Sequence, residues 1–204
     1  MIQEIFSLLI LIVSVIIHEV AHGYAALYFG DQTAYRMGRL TLNPVKHIDL
    51  FGSIILPALT LLASKGSIFF GFAKPVPYNP NNLHRKRLGE FVVSIAGVFA
   101  NFFVAFVFAM IARTMVNTLP ESFVSFAVSI VYVNIMLGVF NLIPIPPLDG
   151  SKILFTLLPQ TMKMRELQNM FEKYALVFLF LLVFVGWNYL SLVVPIIFQF
   201  FLGI

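Results

Sequence analysis

The run Ile16-Ile17-His18-Glu19-Val20-Ala21-His22-Gly23-Tyr24 lies inside an apolar stretch, residues 5–29, long enough to cross a bilayer as one helix. Ionisable groups near the centre of such a helix cost about 2.5 kcal/mol or more each, so two imidazoles and a carboxylate there need a reason. Helix geometry supplies one. Residues four apart lie nearly above one another, so His18 and His22 can offer two nitrogens to one metal. Glu19 follows His18 directly, close enough to reach a water at that metal without being a ligand itself. The competing reading is a pair of core histidines satisfied by their neighbours, and the metal reading needs a third ligand from elsewhere in the chain.

Composition excludes a soluble domain. Of the 204 residues, 60% are hydrophobic and only 11% charged, and the mean hydropathy is +0.94. The expected fold is an all-α polytopic membrane protein, a single domain over residues 1–204 with no composition shift that marks off a second one. No cysteine is present, so disulfides and thiolate ligands are excluded and a zinc ion would need His and carboxylate ligands. A net charge of +4 does not point to nucleic acid. The N-terminal stretch lacks a basic leader and a small-residue cleavage site, so residues 1–29 are expected to be a retained helix.

Along the chain, the first helix is expected over about 5–29, ending at Gly30-Asp31. Residues 33–48 alternate polar and apolar side chains around Gly38 and an Asn43-Pro44 turn, a pattern that predicts short membrane-associated strands. Residues 51–63 are apolar but contain Pro57 and span only about 20 Å as a helix, which suits a short or re-entrant segment. Lys65 then either snorkels outward from a helix that nearly crosses, or opposes a re-entrant path. Residues 71–80 hold three prolines, Pro75, Pro77 and Pro80, and are expected to be extended, as an edge segment. Further helices are expected at about 91–112, 123–142, 174–187 and 189–203, the last broken by Pro195. Residues 151–173 read as a surface helix.

Lysine and arginine counts set the expected orientation. Residues 30–50 carry three, 71–90 four and 150–173 four, against none before residue 30 and one, Arg113, in 112–122. The N-terminus is therefore expected on the extracytoplasmic side, with His18 and His22 toward the cytoplasmic leaflet of the cell membrane.

The third ligand is expected to be Asp149. Pro144, Pro146 and Pro147 break the helix before it, and the third span ends on the side that the histidines favour. Asp149 could equally cap a helix starting near Ser151, and the two roles are compatible. At this point the motifs carry a resemblance. His18-Glu19-x-x-His22, Ala96-Gly97-x-x-x-Asn101 and Asn141-x-x-Pro144-x-x-Pro147-Leu148-Asp149-Gly150, in this order, resemble the site-2 protease family of intramembrane metalloproteases. Gly71-Phe-Ala-Lys-Pro-Val-Pro, with Asn79-Pro80, is similar to its small branch without PDZ or CBS domains. Val98 stands where the family usually has proline.

The resemblance implies a three-helix catalytic core and one zinc per chain held by His18, His22 and Asp149. It also implies Glu19 as general base, Asn141 as a residue that binds the substrate backbone or the oxyanion, and Gly71 and Lys74 as substrate-binding positions. Asn141 could instead make a helix-end hydrogen bond, and Asn101 reads as a bond across helices. His47, beside Asp49, reads as structural, with gating of the metal as the other possibility. The implied activity is hydrolysis of peptide bonds in or near transmembrane segments of membrane proteins. An unwound segment needs backbone partners in lipid, so residues 69–76 or strands in 33–42 are expected to supply an edge for strand addition. The alternatives are a metal-ion transporter, which would want several sites along a path, and an inactive membrane scaffold, which would not need Glu19.

Overall fold

Every polar side chain on an apolar helix must find its partner inside the protein, and that requirement decides how these helices assemble. The computed structural model describes residues 2–63, 71, 73–175, 177–178, 182 and 187–203. Three helices are long and apolar enough to cross a membrane. They are α1 (Ile2–Tyr28), α4 (Lys86–Met115) and α5 (Glu121–Asn141), and α4 packs against both of the others. Between α1 and α4 come the one-turn α2 (Thr33–Arg36), a 3-10 turn Pro44–His47, a π-helical turn Leu50–Ile55 running into α3 (Leu56–Ala63), and a second 3-10 turn Pro80–Asn82. After α5 follow α6 (Asp149–Leu157), α7 (Met162–Lys173) and a C-terminal helix α8 (Trp187–Leu202).

Small residues let the helices approach. Ala105 and Ala109 of α4 are fully buried against Val131, Ile135 and Val139 of α5, with Val194 of α8 closing the cluster. A Cβ on Gly138 of α5 would meet the Phe102 ring at 2.9 Å. The outward faces keep large apolar groups exposed, among them Leu9, Phe99, Phe103 and Phe106.

Two expectations are corrected. No strand forms among the described residues. Thr33–Arg36 is helical because Gly38, at φ +62°, terminates it: Arg39 N–H donates to Ala34 O at 2.9 Å and Gly38 N–H to Tyr35 O at 3.0 Å, a helix stop rather than a hairpin turn. The same pair of bonds ends α1 at Gly30 (φ +100°), from Asp31 N–H to Ala26 O and Gly30 N–H to Leu27 O. Residues 73–79 are extended as expected, but their backbone partners are side chains and single carbonyls, not a second strand. The other correction is α8, which runs through Pro195 unbroken. Burial of Val194 and the packing of Leu190, Ile197 and Phe198 on the α4–α5 cluster outweigh the roughly 3 kcal/mol a helical proline costs. Residues 50–63 are helical, in line with a short helix. Lys65, its neighbours 64–70 and most of the expected helix 174–187 lie outside the described residues.

Asp31 ties the connector to α1. It is 1% exposed, and its carboxylate accepts from Thr33 N–H and Oγ1, Asn79 N–H and Asn82 Nδ2. Burial works against its charge, but those four bonds outweigh it and hold the carboxyl below its ordinary value of 3.8. Replacing Asp31 with Ala removes the buried acceptor of four hydrogen bonds and should lower stability by about 1–3 kcal/mol, read from denaturation midpoints in detergent. Because its folded-state pKa is depressed, the wild-type carboxylate's contribution should be complete above pH 4 and fall away as the pH drops through the lowered value. The Asp31→Ala protein should lack that acid-dependent component.

Candidate metal centre

Ser14, His18 and His22 recur every four residues and so lie on one face of α1, the face turned to α4. All three are buried, His18 at 6% and His22 at 9% exposure. The His22 Nδ1–H donates to the Val93 carbonyl of α4 at 2.6 Å. A carbonyl can only accept, so this nitrogen carries the proton. His18 Nδ1 lies 2.6 Å from Asn101 Oδ1. The direction of that bond follows from a chain of amides. Asn134 Nδ2 donates to the Ile130 carbonyl and Ser14 Oγ, so its Oδ1 accepts from Asn101 Nδ2 at 3.0 Å. Asn101 Oδ1 is thereby left to accept from His18. Both imidazoles are held as the Nδ1–H tautomer, with the Nε2 lone pairs aimed the same way.

Those lone pairs converge with a carboxylate. His18 Nε2 and His22 Nε2 are 3.0 Å apart, and Asp149 Oδ2 lies 3.0 and 3.1 Å from them. Three electron-pair donors so close, with their protons committed elsewhere, repel one another unless a cation lies between them. Tetrahedral zinc with N and O ligands at about 2.0–2.1 Å sets its ligands slightly over 3 Å apart, so the triangle has the right dimensions. His18, His22 and Asp149 are the one such group among the described residues.

Asp149 reaches the histidines because α6 starts there. Its carboxylate makes no capping bond, and the N-cap position falls to Leu148. Asp149 is therefore not the cap of this helix. Gly150 lets the chain turn so tightly, since any Cβ there would overlap the Leu142 carbonyl at the end of α5. Arg87 of α4 draws α6 in by donating to the Thr156 and Leu157 carbonyls at 2.7 and 2.9 Å. The second Asp149 oxygen lies 3.6 Å from Lys152 Nζ.

Beside the triangle is a cavity of about 140 Å³, walled by Glu19, Val76, Tyr78, Asn141 and Lys152 among others. Glu19 Oε2 accepts from the Val76 N–H at 2.9 Å. Asn141 lines the cavity while its Nδ2 donates to Leu137 O at 3.0 Å, so the helix-end bond and the cavity position coexist. Gly71 and Lys74 are not brought to the cavity. Gly71 packs against Pro57 and the Gly52 carbonyl, and among the described residues Lys74 engages through its backbone, with N–H to His47 O and C=O to Arg39. His47 Nε2–H donates to Thr41 O at 2.8 Å and Asp49 caps Gly52 N–H, which fits the structural reading of both.

Sequence reasoning overlooked Asn134 and the Val93 carbonyl, and gave Ser14, one of two serines in the first apolar stretch, no role. A buried asparagine in the third apolar helix was the available signal for the first, and a carbonyl leaves none. Gly97 was noticed as part of a motif without its reason. A Cβ there would stand 2.5–2.6 Å from His22 Nε2 and His18 Nε2, inside the space a metal needs. Gly97→Ala should therefore abolish zinc binding, measured by metal analysis of the purified protein. Asn101→Ala, which frees the His18 tautomer, should weaken zinc about 10–100-fold in chelator competition.

The chain matches the family model for peptidase family M50 over residues 6–123 and 113–186. It is 37% identical over 187 residues to the Bacillus subtilis protein named "Putative zinc metalloprotease YwhC", covering 88% of this chain and 80% of that one. It is similar also to the Rip2 proteins of Mycolicibacterium smegmatis, at 32% identity over 139 residues, and of Mycobacterium tuberculosis, at 30% over 172. The matches cover 68% and 84% of this chain, and 52% and 63% of those two relatives. No solved structure matches.

Proposed function

The chain belongs to peptidase family M50, the intramembrane zinc metalloproteases of the site-2 type, and we propose that His18, His22 and Asp149 hold its zinc while Glu19 serves as general base. The observation that carries this reading is the convergence of two fixed Nε2 lone pairs and one carboxylate oxygen within about 3 Å of each other. A zinc ion held there would supply Lewis acidity toward the scissile carbonyl and toward the attacking water. Glu19 takes a proton from the attacking water and passes it to the leaving amine, the usual two-way duty of a carboxylate in peptide hydrolysis. Asn141, on the cavity wall, binds the substrate backbone or the developing oxyanion. Lys74 belongs to this reading as part of the extended segment 73–77, and Gly71 as a residue just before it, rather than as side chains at the metal.

The substrates are membrane proteins, cut in or near a transmembrane segment that has first unwound so that its amides can reach the metal. The whole of residues 1–204 acts as one catalytic unit. It is integral to the cell membrane, with the N-terminus outside and the metal toward the cytoplasmic leaflet, an assignment supported by the lysine and arginine distribution. The transporter and scaffold readings find less support, since one metal-ligand group rather than a row of them is present among the described residues.

Glu19→Gln should lose hydrolysis of a fluorogenic apolar peptide in detergent by about 10²–10⁴-fold while keeping one zinc per chain. Retained hydrolysis would remove Glu19 from its role, and zinc flux into proteoliposomes without hydrolysis by wild type would favour the transporter.

A further inference from the structure

Residues 73–77 run past the cavity as an extended strap, with Pro75 and Val76 on the cavity wall. The Lys74 and Val76 N–H groups are both taken by the protein itself, by His47 O at 2.8 Å and by Glu19 Oε2 at 2.9 Å. Pro75 and Pro77 have no N–H to give. Arg39, 6% exposed, holds the strap by donating from Nη2 to the Lys74 and Pro75 carbonyls at 3.0 and 3.2 Å. Val76 is itself buried, at 6% exposure, and seats against Gly23, where a Cβ would meet it at 2.8 Å.

Residues 74–77 therefore hold two amide donors, and that of Val76, on the cavity wall, is already on the Glu19 carboxylate. The cavity beneath, about 140 Å³, is roomy enough for water molecules but falls below the roughly 300–1,000 Å³ of sites that take organic ligands. A peptide has to displace something to enter. We propose that the Val76 amide is a handover point: it holds Glu19 in the resting chain and passes to a carbonyl of the extended substrate on docking, releasing the base only once a peptide is in place. Arg39 is the positioning residue that keeps the strap still during this exchange. The proposal rests on the reading of Glu19 as general base and adds when that base becomes available.

The strap carries its own reporter. Pro75 and Pro77 have no exchangeable amide, so residues 75–77 contribute a single one, that of Val76. Hydrogen–deuterium exchange would be followed by mass spectrometry on the full chain in detergent, with an N-acetylated, C-amidated valine-rich octapeptide as probe. In metal-free protein without peptide, Val76 should exchange about tenfold faster in Glu19→Ala than in wild type. Adding the octapeptide to Glu19→Ala should restore protection, because the amide gains a new acceptor. An amide-to-ester change at residue 76, which replaces only that N–H by oxygen, should cut octapeptide hydrolysis about tenfold with zinc content unchanged. Equal exchange in wild type and Glu19→Ala overturns the handover. So does peptide that leaves Glu19→Ala exchange unaltered at concentrations wild type hydrolyses, or an ester variant as active as wild type. If wild type hydrolyses the octapeptide and Glu19→Gln does not, these results strike the handover alone. If neither or both hydrolyse it, the assigned base falls and the handover with it.

Discussion

The structure depends on keeping two imidazole lone pairs bare inside a hydrophobic helix bundle. Left to themselves, buried histidines on neighbouring turns would bond to each other or to any nearby acceptor. Here each Nδ1–H is given a fixed acceptor, the Val93 carbonyl for His22 and the Asn101 amide oxygen for His18, so each Nε2 is left as a base. The Asn101 oxygen faces His18 because its nitrogen is committed to Asn134, which is committed in turn to a main-chain carbonyl and Ser14. Three apolar helices are thus joined by one directed hydrogen-bond chain, and its terminus is His18, whose free Nε2 faces the Asp149 carboxylate. Buried polar groups that are fully paired rigidify a core as much as they stabilise it, and here the rigidity serves coordination.

Around this chain the fold does little more than exclude bulk. Gly97 keeps α4 away from the space between the histidines, and Gly150 lets the chain reverse hard enough for Asp149 to enter from a different element. Arg87 holds α6 down through its carbonyls. The connector between α1 and α4 completes the site from the other side, anchored at Asp31 and clamped by Arg39, so that an extended segment runs past the cavity beside Glu19. A hydrolase that works on unwound backbone has reason to present extended chain at this place, since peptide in a low-dielectric site needs main-chain partners.

Much of this was legible in the residues. The spacing of His18 and His22, the carboxylate between them, the proline-rich break before Asp149 and the length of the apolar runs all report on local geometry, which a helix's period makes readable. The short strands expected in 33–42 were an error of the same local kind. Alternation along Thr33–Leu40 suggested a ribbon, while Gly38 in the left-handed region terminates a single helical turn. The expected break at Pro195 failed for the opposite reason, because α8's packing on α4 and α5 overrides a local penalty.

What the sequence determined by itself was the chemistry available: two imidazoles on one helix face, a carboxylate beside them, a second carboxylate after a helix break, and no thiolates. These follow from residue type and short-range geometry alone. Only the tertiary structure decided which nitrogen of each histidine is free, that Asn134 and a bare carbonyl decide it, and that the Val76 amide rests on Glu19. Those facts are distances between residues 57 to 120 positions apart, and no local periodicity encodes how far one helix stands from another.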